Sequence, residues 1–227
     1  MKLLDNPSVA NQVLELLKQE YEQEKPLPHL TELVYCLRRS YYDRVSPVPP
    51  TDREVLLFAL GWGLERLLLQ GQRRIESGEV SSIHFSPDFL AFTDLPGELK
   101  TTRSSSAKFG TGAGQFFPVT WQRQILGYMK CLGVTEYELV VLFMMGKWKP
   151  PFPEICSYRI RADEAEIEEN WEWLQTRKTI YLNSIEHQIV PPARIFCEDW
   201  ECSSCRYALR CQAEEIDERQ RGKEVKT

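Results

Sequence analysis

The chain has 227 residues, 42% of them hydrophobic and 27% charged, with a formal net charge of −5. That length corresponds to about one and a half domains of about 150 residues, so one enlarged domain or a core with terminal extensions is expected, and the composition excludes a chain disordered throughout. The longest apolar runs, Val55–Leu60 and Leu139–Met145, are far below the roughly 18 residues that a membrane helix needs, and Asp5 interrupts what would be a signal peptide's apolar stretch; a cytoplasmic protein with no membrane partner is expected.

In chain order, residues 8–24 carry helical periodicity through Val9, Val13, Leu16, Leu17 and Tyr21, broken by Pro26 and Pro28. Thr31 is placed to cap a second helix to about Arg44, with Leu33, Leu37 and Tyr41 on one face. Pro47, Pro49 and Pro50 form a linker. A long helix then runs from Thr51 or Asp52 to about Glu76, its stripe formed by Leu56, Leu60, Leu64, Leu67 and Leu68. Val80–Thr102 reads as short strands and turns, punctuated by Ser86-Pro87-Asp88 and Leu95-Pro96-Gly97. Residues 103–118, rich in Ser and Gly, read as a mobile loop. Trp121–Cys131 is helical, Glu138–Met145 a buried strand and Ile155–Ile160 another strand. Asp163–Glu186 is a long helix with six acids and no base between residues 162 and 172, which more than accounts for the net charge. Residues 36–130 hold twelve Lys/Arg against nine Asp/Glu, a local excess of three positive charges compatible with a polyanion. A cysteine-rich segment follows Pro191-Pro192, and a charged tail begins near Gln212. The helix–strand–helix–strand alternation defines an α/β chain.

Seven cysteines, an odd number without a secretion signal, favour reduced thiols that hold a metal over a disulfide scaffold. Cys202-x2-Cys205-x5-Cys211 supplies three thiols for either a zinc tetrahedron or an iron–sulfur cluster. The fourth ligand comes from elsewhere. Cys197 is the local candidate, since Cys197-x4-Cys202-x2-Cys205 has the plant-ferredoxin spacing. Cys36 is the remote one, beside Arg38 and Arg39, which favour a thiolate. Cys131 and Cys156 stand alone in apolar elements and read as small buried hydrophobes.

Ten positions separate Asp88 from Glu98-Leu99-Lys100. On a strand, residues two apart share a face, so Glu98 and Lys100 point together while Leu99 points into the core. Two carboxylates offer hard oxygen ligands to Mg²⁺ or Mn²⁺, and a neighbouring ammonium can orient water or stabilise charge on a phosphate; phosphodiester hydrolysis needs this set. Taken singly, the pattern is also that of a surface Glu/Lys pair. Gly61-x3-Glu65 adds a helical carboxylate upstream, and Gln124-x3-Tyr128 an amide and a phenol on one helix face downstream.

The ordered set Cys36, Gly61-x3-Glu65, Asp88, Glu98-x-Lys100, Gln124-x3-Tyr128 and Cys202-x2-Cys205-x5-Cys211 resembles the RecB-type PD-(D/E)XK nucleases that carry an iron–sulfur staple. It is most similar to the CRISPR-associated RecB-like exonuclease family ("Cas four"), and AddB-type helicase–nuclease domains share the layout. The resemblance spans about residues 30–211. It implies a restriction-endonuclease-like α/β core, a mixed sheet flanked by helices, with a [4Fe–4S] cluster joining the N- and C-terminal segments. By the same resemblance, residues 1–50 form a helical segment contributing one cluster cysteine, 51–190 the nuclease core, and 191–227 the cysteine-rich cluster segment and charged tail.

Residue by residue, the resemblance implies that Cys36, Cys202, Cys205 and Cys211 bind the cluster, which makes Cys197 a bystander. Glu65, Asp88 and Glu98, with the Leu99 carbonyl, would bind the catalytic Mg²⁺ or Mn²⁺; Lys100 would be the catalytic lysine, and Gln124 and Tyr128 would lie near the substrate. The family commonly has His where this chain has Glu65, and a third oxygen favours hard divalent ions. The implied activity is metal-dependent exonuclease action on single-stranded DNA ends in CRISPR spacer acquisition, with the spacer-integrase complex as a partner. The alternative is a DNA-end-binding or assembly subunit of a repair or phage recombination complex with little catalysis. Arg103 and Lys108 in the 103–118 loop, with Trp121 or Phe116 as stacking surfaces, are the candidate DNA contacts. A cluster joining Cys36 to Cys202 would close most of the chain into one loop and restrict the unfolded state.

Overall fold

The computed structural model describes residues 7–21, 26–68, 75–90, 94–110, 112–113, 116–144, 153–193 and 197–224. Eight helices are described: α1 (Pro7–Tyr21), α2 (Leu30–Val34), α3 (Leu37–Val45), α4 (Asp52–Leu68), α5 (Val119–Leu132), α6 (Glu164–His187), α7 (Asp199–Ser203) and α8 (Ala208–Glu224). A hairpin of β1 (Gly78–Val80) and β2 (Ile83–Phe85) stands apart from a four-stranded sheet of β3 (Phe89–Leu90), β4 (Pro96–Thr102), β5 (Glu136–Phe143) and β6 (Glu154–Arg161), in that spatial order. β4 and β5 are parallel, and the two outer pairs are antiparallel. The parallel pair needs a crossover, and α5 supplies it. This is a mixed sheet flanked by helices. Among the described residues no helix is long and apolar enough to cross a membrane.

β5 alternates strictly. Tyr137, Leu139, Val141 and Phe143 are buried, while Glu136 and Glu138 pair on the other face with Arg161 and Arg159 of β6. α5 and α6 cover the buried side. Gly127 permits their closest approach, since a Cβ there would come within 2.8 Å of a Leu30 methyl and 3.0 Å of a Leu174 methyl. Gly133, at φ +67°, closes α5 in the left-handed conformation that glycine adopts without steric cost. Asp163 and Glu166 form a capping box at the start of α6, where the sequence reading begins its long helix.

The helix expected from Thr31 to Arg44 is two helices. His29, not Thr31, caps α2. The break at Tyr35-Cys36 has three tertiary causes. The Arg177 guanidinium donates to the carbonyls of Leu33 and Tyr35, the Glu32 carbonyl accepts from Ser40 Oγ at 2.9 Å, and the Cys36 N–H goes to Glu201 Oε2 at 2.9 Å. The backbone groups that would have continued the helix are thus satisfied by distant partners.

Three further expectations need correction. On α4 the apolar stripe is not a buried face: Leu56, Leu60 and Leu67 are exposed and Leu64 is half-buried, while Val55, outside the stripe, is buried. α4 instead meets β4 through Gly61, where an added Cβ would lie 3.9 Å from Thr101 Oγ1. The charged tail after Gln212 is the greater part of α8, anchored where Arg38 donates to Glu218 at 2.8 Å and Tyr42 to Glu214. Much of the 103–118 loop is pinned: Phe109 is buried among Phe117, Trp121, Phe143 and Tyr158, and Ser106 Oγ donates to Glu154 at 2.5 Å. The side chains of Tyr21 and Leu68, residues 22–24 and 69–74, and Met145, which the sequence assigns to helices or a strand, lie outside the described residues.

Candidate active site

β4 delivers Glu98 and Lys100 to the side covered by α5. Glu98 is 3% exposed. Its Oε1 accepts from Lys100 Nζ at 2.6 Å and from Gln124 Nε2 at 2.7 Å, and Lys100 also donates to Gln124 Oε1 at 2.9 Å. The three side chains close a triangle in which the amide reads both charges. Gln124 Nε2 lies 3.2 Å from the Tyr128 hydroxyl, which donates to the Ser86 carbonyl at 3.1 Å. Asp88 Oδ2 accepts the Leu99 N–H at 2.8 Å. The Ser86–Asp88 segment is therefore held at one end by a helix and at the other by the strand that bears the reactive pair.

Leu99 was expected to point into the core, with Glu98 and Lys100 away from it. Glu98 is the more buried residue and Leu99 is half-buried, because β4 carries helices on both faces: α5 over Glu98 and α4 over Thr101. Gln124 and Tyr128 are buried as well.

Burial pushes the Glu98 carboxyl up to about 7 against the pull of the Lys100 ammonium, with Asp88 and Glu65 pushing it further. Burial draws Lys100 down, but attraction to Glu98, Tyr35 and Asp88 outweighs it, and the ammonium is held charged above the ordinary lysine range. Burial raises the Tyr128 phenol well above its usual value, so it stays protonated as a donor. Glu65 on α4 belongs to the same electrostatic neighbourhood through its effect on Glu98. Tyr35, which the sequence did not single out, does too, through Lys100.

Glu98 Oε2 is buried and has no hydrogen-bond partner among the described residues. An orphaned carboxylate oxygen is costly unless something cationic meets it, and that fits a divalent ion held by oxygens. As the side chains stand, no three His, Cys, Asp or Glu among the described residues form a group arranged to hold a metal ion.

A second cluster forms where the two ends of the chain meet. Cys36, Cys197, Cys202, Cys205 and Cys211, together with Arg38, Arg39 and Glu201, line a cavity of about 50 Å³. All seven thiols are free. Cys197 Sγ is 3.5 Å from Cys202 Sγ. A hydrogen bond from Cys197 lowers Cys36 to about 6 and correspondingly raises Cys197, so the proton they share rests on Cys197. Cys211 faces Arg38 Nη1 at 3.7 Å and Glu215 at 3.8 Å. Thiol donors of this kind suit iron–sulfur clusters or zinc. The pocket is held by buried polar groups. Glu201, 2% exposed, accepts the N–H groups of both Cys36 and Glu198, and Arg38, 1% exposed, donates to the Pro191 carbonyl at 2.8 Å.

Cys131 and Cys156 lie outside this pocket, and burial raises both thiols. Arg103 and Lys108 are exposed; Trp121 is half-buried with its ring 5.8 Å from Phe109, while Phe116 is 47% exposed. Sequence reading did not single out Glu201 for its role in the pocket. The Glu198-x2-Glu201 spacing of a capping box is the signal that could have found it.

No family model matches the chain, and a search of curated proteins returns no match. Among solved structures, the fold is similar to the crystal structure of SSO0001, with a TM-score of 0.54 over 88% of this chain and 94% of that one at 19% identity. It is also similar to LHK-Exo, an alkaline exonuclease from Laribacter hongkongensis (TM-score 0.41, 16% identity, 77% of this chain and 94% of that one). A phage-related exonuclease from Haemophilus somnus 129PT follows (TM-score 0.40, 14% identity, 67% of this chain and 82% of that one). The likeness to SSO0001 is one of fold; the chemistry rests on the residues above.

Proposed function

We propose that the chain is a metal-dependent deoxyribonuclease, an exonuclease acting on single-stranded DNA ends, whose thiol pocket holds a structural [4Fe–4S] cluster and whose setting is prespacer processing in CRISPR spacer acquisition beside the spacer-integrase complex. The observation that carries the nuclease reading is the buried Glu98–Lys100–Gln124 triangle with its orphaned carboxylate oxygen. A stable core does not need a buried ion pair that leaves an acceptor open, and such a feature is more usual at reactive sites.

Glu98, Asp88 and Glu65, with the Leu99 carbonyl, would hold a Mg²⁺ or Mn²⁺ ion. When bound, that ion supplies Lewis acidity toward a phosphate oxygen and a more acidic water. Lys100 keeps its proton and sets a fixed positive charge beside the phosphate, where negative charge grows during phosphodiester hydrolysis. Gln124 holds that ammonium and Glu98 in register, and Tyr128 fixes Gln124 and the Ser86 carbonyl ahead of Asp88. The exposed Arg103 and Lys108 lie just past β4, where the DNA backbone would leave the site. Cys36, Cys202, Cys205 and Cys211 would ligate the cluster and tie residues 1–50 and 191–227 to the 51–190 core.

The test uses end-labelled single strands and purified protein with Mg²⁺ or Mn²⁺. Wild type degrades them, and Lys100→Ala abolishes degradation while iron and sulfide contents stay unchanged. Cleavage that survives Lys100→Ala overturns the site assignment, and protein prepared without oxygen that lacks iron and sulfide overturns the cluster.

A further inference from the structure

The resemblance leaves Cys197 without a role, yet its sulfur is in contact with proposed ligands. Cys197 Sγ lies 3.5 Å from Cys202 Sγ inside the thiol cavity. Cys197 precedes α7 and Cys202 lies in its last turn, so a single short helix fixes their separation. Cys197 also hydrogen-bonds Cys36, but Cys36 reaches it from the far end of the chain, whereas Cys202 is carried on the short helix that follows Cys197; Cys211 faces Arg38 and Glu215. Cys197 and Cys202 are both half-buried, open to a small oxidant but shielded from large ones.

We propose that Cys197 and Cys202 are a redox couple that closes to a disulfide under peroxide and thereby withdraws Cys202 from the thiol pocket. One sulfur attacks the O–O bond of the peroxide, forming a sulfenic acid and releasing water. The second sulfur attacks the first; the S–S bond forms, the hydroxyl leaves, and the remaining thiol proton converts it to water. Two thiols are oxidised by two electrons, and one peroxide is reduced to two waters. The sulfurs need to move from contact distance to a bond of about 2.05 Å, which rotation of the two side chains supplies. The consequence for an iron–sulfur cluster rests on the reading above, whereas the disulfide does not: with Cys202 bound to Cys197, three of the four proposed ligands remain, and the pocket cannot be loaded until the bond is reduced.

The full-length protein is reduced, stripped of metal, treated with one equivalent of hydrogen peroxide, alkylated and cut with a glutamate-specific protease. Cleavage after Glu198 and Glu201 separates the two cysteines, so a link between them appears as a joined pair of peptides. The expected result is that alkylatable thiols fall from seven by two, that the joined pair is Cys197 with Cys202, and that dithiothreitol restores all of them. Cys197→Ser should remove the link and leave Cys202 as a sulfenic acid, trapped with dimedone, while Cys156→Ser leaves the link intact. Fragmentation of the joined peptides locates the bonded sulfur, because Cys205 and Cys211 share a peptide with Cys202; a Cys197 link to Cys205 or Cys211, a Cys202–Cys205 link within one peptide, a Cys36–Cys197 link, or unchanged thiol counts each overturn the proposal. Iron uptake separates the two readings. Oxidised protein that takes up no iron until reduced supports the withdrawal of Cys202. Oxidised protein that loads as well as reduced protein overturns it, and a reduced wild type that never loads sinks the cluster while the disulfide result still decides the couple.

Discussion

The acidic site and the thiol pocket lie in one chain but are built on opposite plans. Apart from Glu65 on α4, the groups of the acidic site come from β4, α5 and the short segment ahead of β3, within about forty residues, and hydrogen bonds tie them to one another. The thiol pocket joins Cys36 to residues 197–211, and the two sides are kept together by long-range contacts, polar ones through Glu201 and Arg38 and ring contacts such as Tyr42 with Tyr207. The first site is therefore preorganised by the sheet, with a low entropic cost of assembly. The second exists only while the chain ends stay docked.

That contrast yields four expectations, the largest first. Lys100→Met removes the charge from the acidic site and leaves the thiol pocket alone; cleavage should fall by roughly a thousandfold, measured as single-turnover rates, with an unchanged thiol count. Equal loss of both would mean that the two regions are one cooperative unit. Gln124→Leu leaves Lys100 and Glu98 each short of a partner and should cost about 1–3 kcal/mol, read from the urea midpoint, together with a fall in cleavage rate at saturating DNA.

Arg38→Met keeps most of the apolar bulk but strands the Pro191 carbonyl. It should cost about 2 kcal/mol, most of it from the lost buried hydrogen bond, because Glu218 is half exposed and its pairing contributes little. Amide exchange should show α7 and α8 loosening before β4 and β5; uniform loosening would break the proposed division. The smallest effect concerns Cys131. Burial raises its thiol to about 12. At pH 8 only about one part in ten thousand is thiolate, and that fraction grows tenfold per pH unit up to the pKa, so alkylation should lag far behind that of Cys36, which is lowered to about 6, and accelerate as pH rises. Labelling at equal rates would show that the α5 end opens readily.

The elements were legible wherever a local signal had no tertiary competitor. Asp163 with Glu166 announces α6, and alternation announces β5. The α2–α3 break was not legible, since it depends on Arg177, Ser40 and Glu201 taking over backbone groups from afar. The apolar stripe of α4 was misread because apolar periodicity marks an amphipathic helix but not the side on which a glycine lets it approach the sheet. Trp121, read as a base-stacking surface, is half-buried with its ring beside Phe109; aromatic residues near a loop carry no local mark of how far they face inward.

By itself, the sequence determined that Glu98 and Lys100 share a strand face, that Gln124 and Tyr128 share a helix face, and that three thiols stand close together near one end, because strand and helix periods and short spacings are properties of the local backbone. Only the tertiary structure decided that these two faces look at each other, that one oxygen of Glu98 is left open, and that Cys197 turns toward Cys202. Those outcomes depend on how layers pack and on which distant donors reach a buried acceptor, and no local spacing encodes that.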